Sequence, residues 1–154
     1  MKRLSDYMLY TTDGRAKALD DIIFDMTDVT NALYIYDVKE RRKVKGIFNN
    51  DYVYGIVESS RVFESYDDAK LYCEEHDLSN IFQIKFNNGD YIYVYATYYD
   101  YNTYKNFLTL YRESENDKAR PVAIFNMANL IGFMKITFEG GEDELREDSD
   151  LRRV

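Results

Sequence analysis

An α+β fold, with an antiparallel sheet of about six strands and two main helices packed on one face, is what this sequence predicts. Three observations carry that expectation. First, tyrosine alternates with aliphatic residues in Tyr34-Ile35-Tyr36, Tyr52-Val53-Tyr54 and Tyr91-Ile92-Tyr93-Val94-Tyr95, and in a strand alternate side chains face opposite ways. Second, two stretches place apolar residues at helical spacing. Third, Asn88-Gly89 is a tight-turn pair between two such strands.

The elements follow in order. Asp13 reads as an N-cap, and Ala16, Leu19, Ile22, Ile23 and Met26 fall on one helical face, predicting a helix over 14–27. Residues 33–38 and 44–48 read as strands joined by a charged turn, and Asn49-Asn50 as the turn into a third strand over 52–58. Ser65 with Asp68 resembles a capping box. It opens a second helix that carries Ala69, Tyr72, Cys73 and His76 on one face. Strands are expected over 81–86, 91–98, 104–111, 122–125 and 133–138, with one helical turn near 127–131. The segment Phe48-Asn49-Asn50-Asp51-Tyr52-Val53-Tyr54 echoes Phe86-Asn87-Asn88-Gly89-Asp90-Tyr91-Ile92-Tyr93, as two hairpins with one turn chemistry would.

A chain of 154 residues fits one domain. We expect it over 1–139, followed by an acidic, flexible tail over 140–154. The single Cys73 forms no internal disulfide framework and fits a reducing compartment. No signal peptide or membrane-spanning run is read, so the expected location is cytoplasmic, without a membrane partner. The net charge of −8 opposes nonspecific nucleic-acid binding and favours basic partners.

Candidate chemistry is sparse. Cys73 and His76 have the residue types of a nucleophile and its base, but their spacing suits a helix face turned to the core. The carboxylate pairs fall on expected helix surfaces or in the tail. No glycine pattern cradles a phosphate, and a second Cys/His pair for zinc is missing. The expectation is therefore no enzyme, no metal and no cofactor.

Tyrosine gives contact area at low entropic cost. The candidate partner-binding residues are Tyr52, Tyr54, Tyr91, Tyr93 and Tyr95, with Asp51, Asp90 and Asp100 beside them. The functional expectation is a small acidic inhibitor that occludes a larger basic protein, such as a nuclease or its nucleic-acid complex. Sixteen tyrosines and a single proline fit an AT-rich coding sequence, which adds a phage or mobile-element origin of the anti-CRISPR or anti-restriction type. The alternatives are a single-stranded nucleic-acid binder using the basic Lys39–Lys45 hairpin, and an adaptor or homo-oligomer held through its tyrosines.

Overall fold

Apolar side chains on both faces of one strand organise the molecule. The structure is a computed structural model and describes residues 6–76, 80–112 and 120–137. In chain order come β1 (Tyr7–Thr11), β2 (Ala16–Leu19), β3 (Ile22–Thr27), β4 (Ala32–Asp37) and β5 (Val44–Asn49). A 3₁₀ turn, Asn50–Tyr52, leads into β6 (Val53–Glu58); a second, Ser59–Arg61, leads into β7 (Val62–Phe63). Helix α1 (Tyr66–Glu75) precedes β8 (Asn80–Phe86), β9 (Tyr91–Tyr95), β10 (Tyr98–Asn102) and β11 (Phe107–Arg112). Last are β12 (Arg120–Asn126), the 3₁₀ turn Met127–Asn129 and β13 (Leu130–Thr137).

The strands form a six-stranded sheet (β10-β11-β12-β6-β1-β2), a four-stranded sheet (β13-β8-β9-β7) and a three-stranded sheet (β3-β4-β5), antiparallel at every pairing. The six-stranded sheet is the middle layer. One of its faces sends Tyr10, Tyr54, Leu108 and Phe125 against Phe82, Ile84, Phe86 and Val94 of the four-stranded sheet. Its other face packs Leu9, Val53 and Ile56 on Ile22, Met26, Leu33 and Ile35 of the three-stranded sheet. Helix α1 covers the far side of the four-stranded sheet, with Ala69 and Cys73 against Ile81, Tyr93 and Ile136. Burial of apolar area is the main favourable term in folding, and here it is divided among three stacked interfaces.

This corrects the expected fold class. The chain is mostly β, and α1 is the one α-helix among the described residues. The helix expected over 14–27 is instead β2 and β3. Asp13 closes a hairpin turn, accepting from Thr11 Oγ1 at 2.6 Å and from the Arg15 amide at 3.1 Å. After a second turn, with Asp21 at φ 54, Ile22 and Met26 turn inward and Asp25 outward along β3. Apolar residues four apart satisfy a strand period as well as a helical one, so the spacing alone misled. The second helix is present as α1, and Ser65 Oγ caps it by accepting from the Asp68 amide at 3.1 Å. The strand expected over 91–98 is broken at Ala96-Thr97, and its second part crosses into the six-stranded sheet. The tail expected over 140–154 lies outside the described residues, as do residues 113–119.

A repeat joins the layers. Asn31 (φ 51) and Asn106 (φ 62) each end a hairpin turn in the left-handed region, which Asn tolerates better than most residues. After two strands come Ile47-Phe48-Asn49 in one case and Ile124-Phe125-Asn126 in the other. Each last Asn caps a 3₁₀ turn, accepting from Asp51 N at 2.9 Å and from Ala128 N at 3.1 Å. The carbonyls of Asn31 and Asn106 accept from the first turn residue, Asn50 or Met127, at 3.0 Å in both copies. The first copy carries the chain from the three-stranded to the six-stranded sheet; the second carries it from the six-stranded to the four-stranded sheet. The true echo of 48–55 is therefore 125–132, not 86–93. The latter is a hairpin within one sheet, whereas Asn49-Asn50 changes layer.

Candidate binding cleft

The β1–β2 hairpin stands as a ridge with a concavity on each side. Its tip turns through Gly14 at φ +84, where a Cβ would be strained. The Thr12 amide donates to the Tyr52 carbonyl at 2.9 Å, fixing the ridge to the first 3₁₀ turn. On one side lies a cleft of about 490 Å³, built by β1, β6, the segment before α1 and the β8–β9 turn. On the other lies a wider groove of about 790 Å³ beside Ile47, Phe48 and Tyr52.

Phenols from three layers converge on the cleft: Tyr10, Tyr54, Tyr66, Tyr91 and Tyr93. Tyr54 stacks on Phe86 at 4.2 Å, with planes 4° apart, and its hydroxyl donates to Asn87 Oδ1 at 2.7 Å. Tyr66 meets Tyr93 edge-on at 6.0 Å. The charged residues of the lining are Glu64, Asp90 and Arg15, all exposed. Burial, and next the Glu64 charge, push the Tyr10 hydroxyl well above the ordinary phenol range. Burial also raises Tyr54; a backbone hydrogen bond from Asn88 opposes this, and the Asp90 charge adds to it.

Four of the eight residues selected from the sequence, Tyr54, Tyr91, Tyr93 and Asp90, line this one cleft. Their exposure differs, however. Tyr54 and Tyr93 are 1% and 8% exposed, because β6 runs through the middle layer and Tyr93 lies beneath α1. They can offer no more than the edge of a cleft wall. Tyr52 (65%) and Tyr91 (40%) are exposed. Tyr52 lines the neighbouring groove, and exposed Asp51 beside it accepts from Asn31 Nδ2 at 3.0 Å. Tyr95 is half-buried, with the Arg61 guanidinium 4.8 Å above its ring. Asp100 lies on the edge strand β10, among exposed Tyr98, Tyr99 and Tyr101, and lines neither concavity.

Sequence reasoning missed Tyr10, Arg15, Glu64 and Tyr66. The available signal is Asp13-Gly14, a strong hairpin dipeptide, which competes in the sequence with Asp13 as a helix cap.

The other candidates are separated rather than assembled. Cys73 is buried in α1, and burial first, with the Glu74 charge second, pushes its thiol up. His76 is exposed, stacks on Tyr72 at 4.1 Å and has Nδ1 2.9 Å from the Tyr72 carbonyl. A raised thiol and an outward imidazole do not make a nucleophile and its base. Among the described residues no group of three His, Cys, Asp or Glu is placed to hold a metal, and no helix is long and apolar enough to cross a membrane. No protein family, curated protein or solved structure matches this chain.

Proposed function

We propose that this is a small acidic, non-enzymatic binding protein that docks on a basic surface of a larger protein and occludes it. The ridge, with the cleft and groove beside it, is the docking face. The observation that carries this reading is the convergence on one cleft of Tyr54, Tyr91, Tyr93 and Asp90 with Glu64. Asp67 and Asp68 follow in the first turn of α1, against the single lining cation Arg15. Such a face complements a cationic partner, speeds encounter and makes association salt-sensitive. The nucleic-acid-binding surface of a nuclease is the partner class to test first, including the CRISPR and restriction effectors that phage-encoded inhibitors would meet.

The test is capture from a bacterial extract on the immobilised protein, with mass spectrometry of what elutes in salt. Recovery of basic nucleic-acid-binding proteins by the parent, and their loss with Glu64→Lys/Asp90→Lys, is the expected outcome. Equal recovery by both proteins would remove the cleft from the function.

A second reading has its own observation. Tyr34 and Tyr36 stack 6.1 Å apart, with planes 15° from parallel, on β4. Beside them lie exposed Lys39, Arg41, Arg42 and Lys43, and Lys45 pairs with Asp37 at 3.6 Å. Aromatic rings beside cations suit single-stranded nucleic acid. Anisotropy of a labelled oligonucleotide, with and without Arg41→Glu/Arg42→Glu, separates this reading from the first.

A further inference from the structure

We propose that the cleft between the β1–β2 ridge and the β8–β9 turn is a receptor for one cationic head group, the guanidinium or ammonium of a basic side chain that the partner inserts. The inference deepens the docking reading of the same surface and rests on it for the identity of the partner. The affinity of the cleft for a small cation can be measured without one.

Three observations carry it. The cleft is concave and, at about 490 Å³, lies within the range of small-ligand sites of about 300–1,000 Å³, with room for a complete Lys or Arg side chain. Five tyrosines line it, and the exposed ring among them, Tyr91, already holds the Lys85 ammonium 5.1 Å from its centroid, as ring faces attract cations. Such a lining holds an organic cation better than it holds an anion. Glu64 and Asp90 enter the lining from two different segments, the approach to α1 and the β8–β9 turn. They lie close enough to Tyr10 and Tyr54 to raise both hydroxyls, so negative potential reaches the cleft walls.

Arg15 is the lining cation. It is exposed and makes no ion pair among the described residues. The acids are therefore not neutralised from within, and an entering cation meets two carboxylates and one guanidinium. Arg15 repels such a ligand and would attract a carboxylate. Its removal thus has opposite consequences for the two ligand charges.

The experiment titrates the purified protein with N-acetyl-arginine methylamide and N-acetyl-lysine methylamide, followed by tyrosine fluorescence and calorimetry. The citrulline and norleucine analogues serve as neutral controls. The expected result is saturable binding of the two cations only. Glu64→Gln and Asp90→Asn should each weaken it up to about tenfold, and Arg15→Ala should tighten it. Binding of the neutral analogues as tightly as the cations would overturn the inference. So would absence of saturable binding to the folded parent, or weakening by Arg15→Ala. The two readings fail separately: capture of a basic partner without cation binding removes only the cleft assignment. Cation binding without any captured basic protein removes only the docking function.

Discussion

Phe48–Tyr54 and Phe86–Tyr93 are near copies in letters and opposites in structure. The first winds through a 3₁₀ turn and passes from one sheet to another; the second doubles back within its sheet. The second has one extra residue, Gly89 at φ +96. No residue of Asn49-Asn50-Asp51 takes positive φ, so that run stays right-handed and the chain moves on. With Gly89, the chain reverses. The segment that shares the first one's structure, Phe125–Gly132, shares only part of its sequence. Cap and glycine positions, rather than tyrosine content, decide the path of the chain.

The sharpest way to break that comparison lies in the equivalent glycines, Gly55 and Gly132, each six residues past its capping Asn. A Cβ on Gly55 would sit 2.3 Å from Phe125 Cδ1 and 2.7 Å from the Ile124 carbonyl oxygen, whereas a Cβ on Gly132 meets nothing within 4 Å. Phe125 is fully buried and the carbonyl belongs to a paired strand, so neither can yield cheaply. Gly55→Ala is expected to cost about 3 kcal/mol by overpacking, and Gly132→Ala less than about 1 kcal/mol. Urea denaturation of the pair measures the difference, and similar losses would show that the middle layer is looser than its geometry implies.

The next contrast is Asn129 against its counterpart Tyr52. The two N–H groups of Asn129 Nδ2 are shared among the carbonyls of Asn50, Asp51 and Val53 at 3.1, 3.0 and 2.8 Å, and the Asn129 backbone carbonyl accepts from the Asn87 amide at 2.9 Å. One side chain thus ties the second crossover to the first, and its backbone reaches the hairpin. Tyr52 is exposed. Asn129→Ala should cost about 1–2 kcal/mol, chiefly through the Val53 carbonyl, because the Asn50 carbonyl still accepts from Asn126 Nδ2 at 2.8 Å. Tyr52→Ala should stay within about 0.5 kcal/mol, as exposed substitutions do. A large effect of Tyr52→Ala on folding would recast it as structural and weaken its place on the docking face.

Alkaline pH probes the link between the two near copies, since the Tyr54 hydroxyl donates to Asn87. The hydroxyls of Tyr10 and Tyr54 and the Cys73 thiol all ionise later in the folded chain than in the unfolded one. Below their unfolded values, 9.0 for the thiol and 10.0 for the phenols, this stabilisation is fully present. As pH rises through that region the unfolded state loses protons that the folded state keeps, so stability falls. Denaturant midpoints should drop above about pH 9–10, and less steeply in Tyr54→Phe. A flat profile up to pH 11 would mean that these groups are better hydrated than their burial suggests.

Much of the strand content was legible, because alternation survives wherever one face of a strand is solvated: Leu33 and Ile35 point inward along β4, with Tyr34 and Tyr36 half-exposed between them. The layering was not legible. β6 buries Val53, Tyr54, Gly55, Ile56 and Val57 in succession, as strands covered on both faces do. Its tyrosine therefore reads like an outward one although it is in the core. The cleft needed Tyr10, Tyr54, Glu64 and Asp90 from four separate segments. No local pattern announces such a convergence, and the hairpin ridge between the two concavities carries apolar residues at a spacing that also fits a helix.

The last contrast concerns Gly89, whose role differs from that of Gly55. Around Gly89 a Cβ would meet nothing within 4 Å, but the backbone sits at φ +96; Gly55 has an ordinary φ and no space. One glycine supplies conformational freedom and the other supplies volume. Gly89→Ala should therefore cost only the conformational term, about 1 kcal/mol. Gly89→Asn should cost less, because Asn visits positive φ more readily. At Gly55 the order follows size instead, and Asn should be worse than Ala. Thermal melts of the four variants test this crossing of orders. If Asn and Ala rank the same way at both sites, the turn at Asn87–Asp90 is limited by crowding rather than by backbone conformation.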